Sequence, residues 1–85
     1  MSAPTTAPVE TLIRHGWDVW EQGATTDYYA DRLRDAVWEL EEAVDHQRPG
    51  VDLLARRVVQ ALTIATGDEV LAPMPAVAAW LGLDQ

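Results

Sequence analysis

The sequence predicts an all-α fold, a small bundle of three main helices plus a short apolar C-terminal helix. Three observations carry that expectation. Apolar residues recur at the i, i+3, i+4, i+7 spacing of a helix face in three long stretches. Glycine stops divide those stretches, at Gly23, at Arg48-Pro49-Gly50, at Gly67 and at Gly82. No stretch of useful length alternates with the period of a strand. Eighty-five residues make one domain at most, read as a flexible Ser/Thr/Pro/Ala tail over residues 1–7 and a single helical domain over 8–85.

The first helix is expected from its stripe of Val9, Leu12, Ile13, Gly16, Trp17 and Trp20, capped by Thr5 or Thr6 with Pro8 in the first turn. Gly16 falls on the apolar face. It is either a position where a neighbouring helix comes close or a tolerated helix glycine costing about 1 kcal/mol against Ala. The second helix follows Thr26 as a cap, with Asp27 in its positive first turn. Its stripe is Tyr29, Leu33, Ala36, Val37, Leu40 and Val44, and Arg48-Pro49-Gly50 ends it.

The third helix is expected from a cap at Asp52 or just before it, and runs to Gly67. Leu54, Ala55, Val58, Ala61, Leu62 and Ala65 form its main face, while Leu53, Val59 and Ile64 lie outside it. A helix that is apolar on more than one side is expected at the centre of a bundle. Asp68 then caps a single turn, Glu69 to Ala72. Pro75 opens the last short helix, which runs through Leu81 with Val77, Trp80 and Leu81 on one face. No charge occurs from Val70 to Leu83, so this segment has to be covered by the other helices or by a second chain.

Composition narrows the function classes. The net charge is −8, from 14 acids against 6 bases. Such a chain repels phosphate backbones and anionic membrane surfaces, so neither direct nucleic-acid binding nor membrane binding is expected. No apolar run is long enough for a membrane span, and the first residues do not resemble a signal peptide; a cytoplasmic protein is expected. All six bases are Arg and Ala occurs 13 times, the bias of a GC-rich coding sequence. Cysteine is absent, which removes disulfides, thiolate metal sites and cysteine nucleophiles.

The remaining chemistry is sparse. His46 has Glu42 one turn back and His15 has Asp18 three residues on, too few ligands for zinc. The only Ser is Ser2, with no base beside it. Carboxylate pairs such as Glu39/Glu42 or Asp31/Asp35 lie opposite the apolar stripe, where a solvated face is the expectation. No catalytic residue, cofactor or metal is therefore expected, and the protein is not expected to be an enzyme. The run PAVAAWLGL, Pro75 to Leu83, resembles the first helix and turn of a helix-turn-helix motif. That resemblance implies a recognition helix directly after it, but the sequence stops at Gln85, and a short apolar helix packed on the bundle is expected instead.

Two features point to protein partners. Residues 27–45 carry seven acids and two Arg, and Asp27, Asp31, Asp35 and Glu39 recur every fourth residue, about 6 Å apart along the helix. Such a row could imitate a nucleic-acid backbone, or serve as a solvated face. Arg56 and Arg57 would face part of this acid across an antiparallel hairpin. Trp38 falls on the polar side with Arg34, Glu42 and Asp45, either as an exposed anchor or covered by another element. The expected function is a small acidic, non-enzymatic protein–protein interaction module or regulator, self-associating as a homodimer through its apolar C-terminal segment. The alternative is a nucleic-acid mimic that inhibits a DNA-binding protein through the second helix. The candidate contact residues are Asp31, Arg34, Asp35, Trp38, Glu42, Asp45, Trp80 and Leu81.

Overall fold

The computed structural model describes residues 6–23, 27–71 and 74–82. Four helices follow one another: α1 (Thr6–Gln22), α2 (Asp27–Asp45), α3 (Val51–Thr66) and α4 (Pro75–Leu81). There is no strand among the described residues. The fold is thus the small all-α bundle with a short C-terminal helix that the sequence predicts. Helix α1 already begins at Thr6, within the stretch read as tail, while the Thr5 and Thr26 caps lie outside the described residues.

The two longest faces meet first. Helices α2 and α3 form a hairpin across the five-residue turn 46–50, and α1 lies over both arms, with α4 packed beside α1. One core joins all four: Val9, Leu12 and Val19 from α1, Leu33, Val37 and Leu40 from α2, Ala55, Val58 and Leu62 from α3, and Val77 and Leu81 from α4. Val70 and Met74, between α3 and α4, are buried in the same cluster. In the apolar segment from Val70 onward, Val70, Met74, Val77, Ala78 and Leu81 are therefore covered within the chain.

Gly16 is a site of close approach. A Cβ built on it would stand 2.6 Å from Val37 Cγ2, well inside the roughly 3.5–4 Å of an ordinary carbon contact. The missing side chain lets α1 settle onto α2.

The turn from α2 to α3 differs from the expected one. Helix α2 stops at Asp45 because Gln47, not a glycine, takes the left-handed conformation, φ 53°. The Arg48 N–H then donates to the Ala43 carbonyl at 2.8 Å and the Gln47 N–H to the Val44 carbonyl at 3.2 Å. These two bonds close a Schellman motif. Helix α3 starts from Gly50, whose carbonyl accepts from the Leu54 N–H. Asp52 sits inside the first turn rather than at the cap. After Gly67, residues 68–71 bend without forming the expected turn of helix; there the Asp68 N–H donates to Thr66 Oγ1 and the Leu71 N–H to Glu69 Oε2.

The main correction concerns α3. It is not enclosed: Leu53 is 66% exposed and Ile64 53%. The molecule is only 18 Å across in its thinnest direction, room for two layers of helices about 10 Å in diameter and no third. The helix that packs against all three others is α1. The second apolar side of α3 faces outward.

Candidate functional site

The side of the α2–α3 hairpin that α1 leaves uncovered collects the distinctive side chains. Trp38 stands there 55% exposed. It borders a shallow groove of about 410 Å³, between Trp38, Glu42 and Ala43 on α2 and Arg48, Pro49 and Leu54 across the turn. A second groove of about 470 Å³ continues along the same hairpin, floored by Ala36 and Ala61 and rimmed by Asp35, Glu39, Arg57 and Ile64. Small residues on the facing arms keep the floor low. The rim residues Asp35, Glu39, Arg57 and Ile64 are all exposed to water.

The acidic row of α2 is interrupted by cations. Arg34 lies 3.8 Å from Asp31 and 3.3 Å from Asp35. Arg57 reaches across from α3 to Glu39 at 3.2 Å. His46 Nε2 lies 3.3 Å from Glu42 Oε1. Apart from the half-buried Glu42, these groups are substantially exposed, so each pair contributes little to stability. What they change is the charge pattern: three acids in the row Asp31, Asp35, Glu39 each have a guanidinium beside them. A phosphate backbone has no such partners of its own.

Arg56 does not join Arg57 against the acids. Its Nη2 donates instead to the Leu81 carbonyl in the last turn of α4. A carbonyl there has no partner within its own helix, and a cation complements the negative end of the helix dipole. The reason is angular. One residue step turns the side chain by about 100°, so neighbouring arginines point to different elements.

The remaining candidates divide. Asp31, Arg34, Asp35 and Asp45 are exposed, and Glu42 is half-buried. Trp80 is half-buried and borders a groove of about 420 Å³ with Val9, Val44, Val51 and Arg48. Leu81 is only 3% exposed and belongs to the core. A contact role for Leu81 is therefore corrected: its side chain is buried in the chain's own core. On the other side of α2, Trp17 Nε1 donates to Glu41 Oε1 at 3.3 Å and packs edge-on against Trp20, with ring centres 5.7 Å apart. These two tryptophans serve the α1–α2 contact.

Among the described residues no three His, Asp or Glu side chains converge on a point where a metal could sit. No helix among them is long and apolar enough to cross a membrane. Comparison with protein-family models, curated proteins and solved structures returns no match.

Proposed function

We propose that this chain is a small acidic, non-enzymatic protein–protein interaction module, a regulator that engages its partner through the uncovered side of the α2–α3 hairpin around Trp38. The observation that carries this reading is the exposed indole beside a groove with an apolar wall at Leu54 and charged rims at Glu42 and Arg48. A tryptophan side chain covers roughly 150–250 Å². Leaving half of it in water forgoes about 2–3 kcal/mol of apolar burial, which a docked partner would recover. Tryptophan anchors surrounded by polar groups are frequent hot spots of protein interfaces.

The test pairs the native protein with Trp38→Ala in affinity capture from the source cells. The expected result is a partner retained by the native chain and lost by the variant, with the same melting curve for both. A variant that keeps every captured protein, or one that melts early, overturns the reading. The mimic reading would instead be favoured by a DNA-binding protein whose capture survives Trp38→Ala and is abolished by Asp31→Asn together with Asp35→Asn.

A further inference from the structure

The outward side of α3 has a repeat of its own. Leu53, Arg57, Gln60 and Ile64 are spaced four, three and four residues apart, the spacing of a coiled-coil seam with Leu53 and Gln60 at d and Arg57 and Ile64 at a. All four are exposed. The order is symmetric about its midpoint: apolar, polar, polar, apolar. Two such stripes laid antiparallel bring every a side chain opposite a d side chain of the other copy. Leu53 then meets Ile64 of the second copy, and Arg57 meets its Gln60, in both halves at once. That is the self-complementarity an isologous two-fold interface requires.

Charge favours the same face. The chain carries −8 overall, and α2 alone carries seven acids against two Arg. Helix α3 carries only Asp52, Arg56 and Arg57, a net of +1. Two copies of so acidic a protein repel least where α3 meets α3. Arg57 is already paired with Glu39 of its own chain, so the middle of the seam brings no unpaired charge to the interface.

We propose that a second copy of this chain docks on the outer side of α3, antiparallel to it, with the two-fold axis between Val58 and Val59 and with Leu53–Ile64 contacts at both ends. This goes beyond the Trp38 reading, which rests on the groove beside Trp38 and Leu54 and gives no role to Leu53, Gln60 or Ile64. It also relocates self-association from the C-terminal segment, where Val70, Met74, Val77 and Leu81 lie in the core.

The experiment is sedimentation equilibrium on the native chain, on Leu53→Glu, on Ile64→Lys and on an equimolar mixture of the two variants. The native chain is expected to dimerise, and more tightly as salt screens the like net charges. Each variant alone places a charge against an apolar side chain in both halves, and its dimer should weaken by roughly tenfold or more. In the mixture one half regains its Leu53–Ile64 contact and the other gains a Glu–Lys pair, so a mixed dimer should form. Because both positions are exposed, circular dichroism should show each variant folded. A native chain that stays monomeric into the millimolar range overturns the proposal. So do variants that dimerise as the native chain does, which would mean another face. Monomeric variants that fail to pair in the mixture would overturn the antiparallel register. None of these results touches capture through Trp38, which a different variant reads.

Discussion

Replacing Gly16 by Ala tests the close approach of α1 to α2, because two opposing effects have comparable size. On helix propensity alone the change should stabilise the protein by about 1 kcal/mol. Against this, the new methyl would stand 2.6 Å from Val37 Cγ2. Val37 is fully buried and branched at Cβ, so it has one strongly preferred rotamer in a helix and cannot swing aside. The helices must part instead, by about 1 Å, to reach ordinary contact. Overpacking of this kind costs about 1–3 kcal/mol. The net expectation is a loss of about 1 kcal/mol, or a fall of about 4–8 °C in Tm for a domain of this size. The assay is urea and thermal unfolding of four proteins: native, Gly16→Ala, Val37→Ala and the double variant. Once Val37 is trimmed, Gly16→Ala should become stabilising, giving a coupling of about 1–3 kcal/mol. If Gly16→Ala raises stability equally in both backgrounds, the contact is not tight and the glycine is merely tolerated.

Further outcomes concern the chain's C-terminal helix and the turn between α2 and α3. Leu81→Ala should cost about 2–5 kcal/mol because a buried core side chain is removed, enough to unfold much of a domain with about 5 kcal/mol in total. Trp80→Ala should cost clearly less, since the ring is only half-buried; thermal melting that ranks them the other way would contradict the placement of α4. Gln47→Gly should relieve the left-handed strain of about 1–2 kcal/mol, less the added entropy of the unfolded chain. A small rise in Tm, a few degrees, is expected. A fall would mean that the turn does not hold Gln47 at positive φ.

The helices were legible because burial on one side leaves a periodic trace. Leu33, Val37 and Leu40, and Ala55, Val58 and Leu62, all lie where the stripe places them. The ends of elements were less legible. A helix stop written with Gln47 rather than Gly carries no compositional signal, since its left-handed geometry is imposed by the Schellman bonds. The second apolar side of α3 was visible as Leu53 and Ile64, but periodicity reports which residues share a side and not whether anything covers them. Coverage depends on how many layers the chain can build, and 18 Å allows two. The position of Trp38 on the polar side was readable from its angle. Its exposure was not, because a second neighbour could have covered it. Leu81 was misassigned for the converse reason: an uncharged stretch looks the same whether its cover is the same chain or another.

The contact between α1 and α4 sets the order in which this chain can fold. The broad α2–α3 contact is local in sequence and closes across a short turn, so its loop-closure cost is small and it is suited to form early. Val9, Leu12, Val77 and Leu81 come from opposite ends of the same sequence and share one core. During synthesis, α1 emerges before α4 and stays without it until the residues between them have been made. A nascent chain halted before Val77 would hold a hairpin and an incompletely covered α1, exposing an apolar side that a chaperone or a neighbouring nascent chain could capture. Arrival of α4 thus completes the cover of α1, and hydrogen exchange should find α1 protected only once that helix is present.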